Sequence, residues 1–540
     1  MQPMKKTLLI STAAFAASFP LPVRVAGKTP DNIDKRPNLL FIMTDQQRFD
    51  ALGVVGSYSY LQTPNLDRLA REGAFFTHAY SPCAVSVASR CSILTGLLVD
   101  HHRVGTNGLV SQDPATLDIT DKKTFDQILV EDGYYAEYHG KYHAPITWTD
   151  CYSEFGYAYP KKGSFRYRTN HFLEYYKMLA EVYPAPAPEA DEFIDEYFDV
   201  PYRPDPIDHR AYEAGKKGVA LSEVANMKVQ QGDFHGELLL PDSLFMTAWQ
   251  GKKTIEALRR AAKIGRPFSI TCSFVFPHPP MVPPKPYHGM YPVNEIQPPF
   301  SIKDPHIDSP YKSRMTAKRE YSDPQLIPYM MSNYFGLVTQ IDNWVGEILR
   351  TLDETGLRDN TIIIFTSDHG EMLGSHGMQG KATFYEESAR IPLIINFPGK
   401  INPVVIDRYV SLIDLFPTIM DYTDTKAEDR DGRSLRKQIE GNVPDENIVV
   451  TEWANPKQPT LMIVKDGWKL YLNHYPESNV PAVLYDLNTD PHEMKNLIGE
   501  SASDRMRYLP KANELKSAMS KWFAERGAGY SENLDKLIIK

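Results

Sequence analysis

Cysteine is scarce in this 540-residue chain: only Cys83, Cys91, Cys151 and Cys272 occur. Their spacing matches no zinc-binding template, and four thiols are too few to staple so long a chain. Neither a zinc centre nor a disulfide framework is expected to organise it. Long hydrophobic runs are missing too: none approaches the ~18 residues that a membrane-spanning helix needs. Basic runs are absent and the net charge is -9. Proteins that grip a nucleic-acid backbone cluster Lys and Arg, so no nucleic-acid partner is expected, although a local cationic pocket for an anionic substrate remains compatible with that charge. Low-complexity tracts are also lacking. The 42 prolines are scattered through loops, and 42% hydrophobic and 24% charged residues are ordinary for a globular protein.

What is present begins with a targeting pattern. Lys5 and Lys6 precede an apolar stretch from Thr7 to Ala17, and Ala14-Phe15-Ala16 is a small-x-small sequence that would place a cut after residue 16. This reads as a secretory signal peptide within residues 1–26, too short to span a bilayer. No cysteine near it would carry a lipid anchor. A periplasmic or secreted location follows.

Single cores stop growing near ~250–300 residues, so two unequal domains are expected. The patterns put the larger over 37–436 and a C-terminal subdomain over 437–540. Asn38-Leu39-Leu40-Phe41-Ile42-Met43 is a short apolar run that ends at Thr44-Asp45-Gln46-Gln47. A run buried on both faces suits a strand of a parallel sheet, and ligands bind at the carboxyl ends of such strands. Thr361–Thr366 repeats the pattern and ends in Ser367-Asp368-His369-Gly370. Phe268–Val275 runs into Pro277-His278-Pro279-Pro280. Between them Tyr334–Leu352 has helical periodicity, and Thr63-Pro64 reads as a helix start with Thr63 as its cap. Strands alternating with helices indicate an α/β fold with a mostly parallel sheet. The stretch 164–241, rich in Tyr, Asp, Glu and Pro, reads as an insertion near the site. After Arg436, Ile448–Val450, Leu461–Val464 and Trp468–Leu472 suggest a small antiparallel sheet, followed by a helix from Pro510 to Arg526.

Four stretches carry the chemistry in chain order: Asp45-Gln46; Ser86-Val87-Ala88-Ser89-Arg90 with Thr95-Gly96; Gly140-Lys141-Tyr142-His143; and Ser367-Asp368-His369-Gly370-Glu371 with Gly380-Lys381. Together with Tyr485-Asp486-Leu487, Asp490-Pro491, Glu493 and Asn496-Leu497, they resemble the formylglycine-dependent (type I) sulfatases, serine-type bacterial carbohydrate sulfatases in particular. The resemblance implies an alkaline-phosphatase-like α/β sandwich with a large mixed, mostly parallel sheet and a small C-terminal antiparallel-sheet subdomain. It implies a sulfuric ester hydrolase whose nucleophile is a formylglycine made from Ser86, the residue four before Arg90. The bland reading of Ser86 is a helix cap.

By the same resemblance Asp45, Gln46, Asp368 and His369, with an oxygen of residue 86, form the metal set. Their hard oxygens favour calcium, ahead of magnesium. Gln46 stands where Asp is frequent and His369 where Asn is frequent, which should weaken affinity. Asp45 and Asp368 could alternatively be strand-end caps. Arg90, Lys141 and Lys381 would neutralise the sulfate, and His278 and His143 would handle protons, His278 as the acid unless the roles are exchanged. His139, His376, Asp208, His209, Arg210 and His235 have weaker claims. Serine at 86 and Ala88 in place of Pro suit an anaerobic radical-type maturating enzyme as partner. The implied substrate is a sulfated carbohydrate, such as a sulfated polysaccharide. The rival readings are a phosphonate or phosphate monoester hydrolase, and an unmatured glycan-binding protein.

Overall fold

The computed structural model describes residues 36–107, 118–156, 175, 178, 202–218, 234–315, 320–442 and 446–539. The signal-peptide expectation and much of the 164–241 insertion fall outside these residues. The main sheet has eight strands: β1 (Asn38–Asp45), β2 (Ala74–Tyr80), β3 (Tyr135–Gly140) and β4 (Glu154–Gly156), then, past a small pair β5 (Tyr202–Pro204) and β6 (Gly236–Leu238), β7 (Phe268–Pro277), β8 (Thr361–Ser367), β9 (Arg390–Asn396) and β10 (Val404–Ser411). Their spatial order is β10-β2-β9-β8-β1-β7-β3-β4. Only β9 runs antiparallel to its neighbours.

Side-chain alternation along β1 explains the layers. Leu40 and Ile42 enter one core with the helices Met246–Ile264 and Ile327–Glu354, while Leu39, Phe41 and Met43 enter another with the helix Ser86–Thr95. Both faces of the strand are buried, which is why its sequence is continuously apolar rather than alternating. The same pattern repeats in β8, buried throughout.

A second sheet of β11 (Ile448–Glu452), β12 (Leu461–Lys465), β13 (Trp468–Leu472) and β14 (Val483–Asp486) is wholly antiparallel. Here alternation sorts residues by partner. Val450, Ile463 and Leu470 pack on the Arg505–Ala524 helix, whereas Val449, Met462, Tyr471 and Tyr485 pack on Tyr80, Met372, Phe384 and Tyr385 of the main body. The C-terminal sheet is therefore seated against the segment 372–385.

Two local expectations change. The helix Pro64–Glu72 forms, but Thr63 does not cap it; its hydroxyl donates to Asp67 and accepts the Gly53 amide instead. The C-terminal helix opens at Arg505, a turn before Pro510, with the Arg507 N–H closing on the Asp504 carbonyl at 2.9 Å.

Candidate active site at the carboxyl ends of the strands

Register brings the two carboxylates together. Asn38 pairs with Thr361 and Thr44 with Ser367, so the residues that follow the paired stretch, Asp45 and Asp368, emerge side by side at the same edge. On the other flank Gly140 pairs with Ser273. Gly140 has φ of +115°, and a Cβ there would lie 1.9 Å from the Ser273 carbonyl oxygen. Only glycine permits that approach, which delivers Lys141 to the site.

Asp45 is fully buried, and its Oδ2 receives Lys141 Nζ at 2.6 Å and Arg90 Nη2 at 3.0 Å. Burial alone would raise the Asp45 carboxyl, but Lys141, then His278, Lys381 and Arg90, hold it well below the ordinary carboxylate range. Arg90 joins the two acids: Nε donates to Asp368 Oδ2 at 2.8 Å, and Nη1 donates to the Lys141 carbonyl at 2.6 Å and to Ser273 Oγ at 2.9 Å. Burial opposes its charge, yet Asp368 and Asp45 more than compensate and keep it protonated.

Ser86 is the first residue of its helix, and the capping position belongs to Val85. The cap reading of Ser86 is thereby set aside, because its side chain serves the site. Its Oγ lies 2.8 Å from His369 Nε2 and 3.5 Å from Asp45 Oδ2. His369 is buried, with Nδ1 2.9 Å from the Gly370 carbonyl. That contact puts the proton on Nδ1 and leaves the Nε2 lone pair facing Ser86. Burial lowers its pKa to about 4, so the ring is neutral.

Gln46 has φ of +71° and is pinned on every side. Its N–H donates to Asp368 Oδ1 at 3.0 Å, its carbonyl accepts the Tyr334 hydroxyl at 2.9 Å, and its Oε1 accepts Lys381 Nζ at 2.6 Å. Its Nε2 donates to Glu371. Burial, aided by Lys141, brings Lys381 down to about 8 despite the opposing pull of Asp45.

His278 Nδ1 meets the Pro279 carbonyl at 2.6 Å, and Nε2 stands 4.0 Å from Asp45 Oδ1. Burial and then Lys381 and Lys141 push its pKa well down; burial, Lys141 and Arg90 do the same to His143. Every residue expected at the site is thus brought into one cluster. Outside it, His139 pairs with Glu137 at 2.7 Å and His376 with Asp304 at 2.6 Å. Asp208 caps the His209–Lys216 helix and accepts the His235 amide, and His209 meets Glu320, so these build the insertion's scaffold. Glu371, Ser273 and Tyr334 were missed. Glu371 stands inside the Gly370-Glu371 motif, but an acid beside a glycine turn carries no sign of its long-range partner.

The donor set suits a hard divalent cation. Asp45, Asp368 and His369 each offer a ligand atom, all within 4.8 Å of one another. Asp45 Oδ1 is buried with no hydrogen-bond partner, a cost that a cation there would remove.

The profile of the Sulfatase family matches residues 37–425. The chain belongs to the sulfatase family. A profile described as the C-terminal part of N-sulphoglucosamine sulphohydrolase matches residues 374–521. An arylsulfatase of Clostridium perfringens is 30% identical over 493 residues, spanning 88% of this chain and 93% of that protein. The N-acetylglucosamine-6-O-sulfatase of Bacteroides thetaiotaomicron is 26% identical over 517 residues, 89% of this chain and 85% of that one. In structure, the phosphonate monoester hydrolase of Agrobacterium radiobacter superposes with a TM-score of 0.70 at 22% identity, covering 91% and 96% of the two chains. At that identity the likeness speaks to the alkaline-phosphatase-like fold alone. This sulfatase is a sulfuric ester hydrolase, and none of its described helices is long and apolar enough to cross a membrane.

Proposed function

We propose that this sulfatase is an exported enzyme that removes sulfate from a sulfated carbohydrate, using a formylglycine made from Ser86 and a bound calcium ion. The observation that carries the reading is the seat of Ser86 Oγ, 2.8 Å from a neutral His369 and 3.5 Å from Asp45, in a cluster with Arg90, Lys141 and Lys381. A plain serine there is a poor nucleophile, because His369, the neutral imidazole 2.8 Å from its hydroxyl, is itself one of the candidate metal ligands and would not be free to act as its base once a cation is bound. Modification supplies the missing reactivity: a hydrated aldehyde offers one hydroxyl for attack and a second whose proton loss expels sulfate. Asp45, Asp368, Gln46 and His369 would hold calcium, which as a Lewis acid would polarise a sulfate oxygen.

The chain's own groups do the rest. Lys141 and Lys381 meet the charge of the sulfate, and Arg90, paired with Asp45 and Asp368, holds the two acids in line. In the free site the two lysines and burial keep His278 neutral. An arriving anion offsets the lysines, so His278 Nε2 can take up a proton and deliver it to the departing ester oxygen. His143, kept neutral by burial and by the charges of Lys141 and Arg90, is the second proton-handling group, near the bridging oxygen or the nucleophile. The carbohydrate reading draws on the relative named for N-acetylglucosamine-6-O-sulfate and on Trp453. That half-buried indole packs against the small cluster of Cys83, Val85, Ala88 and Val99 that flanks Ser86, where an aromatic ring could stack on a sugar. Serine with Ala88 favours a radical-type maturating enzyme as partner, and the Lys5-Lys6 apolar leader favours export to the periplasm or medium.

Mass analysis of the peptide spanning Ala84 to Arg90 from the native host tests the reading. Conversion removes two hydrogens, about 2 Da, and Ser86→Ala abolishes turnover of sulfated oligosaccharides. Unchanged mass in an inactive protein would mean a glycan-binding role. Faster turnover of an aryl phosphonate than of the aryl sulfate would make it a phosphonate hydrolase.

A further inference from the structure

Glu371 is buried and lies outside the set of residues assigned above to metal, sulfate or proton. Its Oε1 accepts the Gly380 amide at 2.5 Å and the Leu373 amide at 3.0 Å, and its Oε2 accepts Gln46 Nε2. A primary amide is two-ended: its oxygen can bind a cation and accept from a lysine, and its NH2 group can do neither. Backbone bonds at Gln46 hold the residue in place, and the end-for-end orientation of its amide is set by what meets each end: Lys381 Nζ, which only donates, at Oε1 and Glu371 at Nε2. The Glu371 oxygens act here as acceptors, so Glu371 admits the NH2 end, and Oε1 is left to face Lys381 Nζ, 2.6 Å away.

We propose that Glu371 is a positioning residue that sets the Gln46 amide with its oxygen toward the cation site. A carboxylate at position 46 would need no such partner, because its two oxygens are equivalent. The neutral amide, whose two ends differ, needs one. The inference rests on the cation-site reading above.

The test is calorimetric titration of calcium into metal-free, full-length protein, read as affinity rather than turnover. Glu371→Gln is isosteric, and its oxygen can still accept the Gly380 and Leu373 amides, so the turn survives. Its NH2 end then opposes that of Gln46, which leaves Lys381 as the one group holding the amide oxygen in place. Calcium affinity is expected to fall about 10- to 100-fold, the usual range for a partner that orients a metal ligand. In the Gln46→Asp background the same Glu371→Gln change is expected to cost less than about threefold, because nothing remains to flip. Equal calcium affinity in wild type and Glu371→Gln overturns the proposal. So does an equal loss in both backgrounds, which would mark Glu371 as a structural tie only. A wild type that takes up no calcium overturns the cation reading and this proposal together.

Discussion

Replacing Arg90 by Met would remove one guanidinium that makes four hydrogen bonds: to Asp368 at 2.8 Å, to Asp45 at 3.0 Å, to the Lys141 carbonyl at 2.6 Å and to Ser273 at 2.9 Å. Met fills comparable volume, so the loss is electrostatic rather than a cavity. Asp45 keeps Lys141, but the fully buried Asp368 loses the ion pair at its Oδ2. Breaking a buried pair on one side costs about 3–5 kcal/mol, because the remaining charge stays desolvated. Arg90→Lys should recover less than half, since one ammonium cannot span four acceptors spread around a planar fork. The assay is urea unfolding followed by tryptophan fluorescence, once with chelator and once with excess calcium. Calcium should shrink the Met deficit, because it supplies the counter-charge that Asp368 has lost. A metal-free Arg90→Met protein within about 0.5 kcal/mol of wild type, the level of an ordinary surface substitution, would refute the claim that this network holds the two strand ends together.

The remaining expectations concern pH and metal. Asp126 is buried, and burial raises its carboxyl to about 6, against the pull of hydrogen bonds from Ser269 and Tyr152. Between its unfolded value of 3.8 and that folded value the native state holds a proton the unfolded chain releases, so stability falls as pH rises through this window and stays lower above it. Asp126→Asn should therefore be more stable than wild type at pH 7.5 by up to about 3 kcal/mol and equal to it near pH 3.5; a pH-independent difference in thermal unfolding would contradict this. Calcium at a hundredfold excess over its dissociation constant should stabilise the fold by about 2.7 kcal/mol, and chelator should reverse the gain. An unfolding curve indifferent to both would remove calcium from the reading.

The site was legible in the sequence wherever a short-range pattern carried it. Apolar runs of nearly equal length, each closed by a carboxylate, announced β1 and β8, and their matched register then put Asp45 beside Asp368 with no further signal. Ser86 was legible only through its resemblance, since nothing in a serine at the start of a helix foretells that its hydroxyl will face His369 instead of the helix N–H groups. The short strand β14 went unread, because four residues are too few to show alternation. Partner choice was the least visible layer. Arg90 meets Asp368 across 278 positions and Gln46 meets Glu371 across 325. No window of sequence contains both ends.

That gap has a physical cause that also bears on function. Side chains at strand ends are placed by the sheet, but which of them pair is settled by charge and hydrogen-bond capacity among all the groups brought to the same edge. Two acids, one arginine and two lysines converge here, and the only buried carboxylate oxygen of the cluster left without a hydrogen-bond partner is Asp45 Oδ1. A site balanced solely for stability would have satisfied that atom with a backbone amide, as Glu371 Oε1 is satisfied by Gly380 and Leu373. The loop after β8 therefore closes the Glu371 carboxylate, while the end of β1 leaves Asp45 Oδ1 open, 4.0 Å from His278 Nε2.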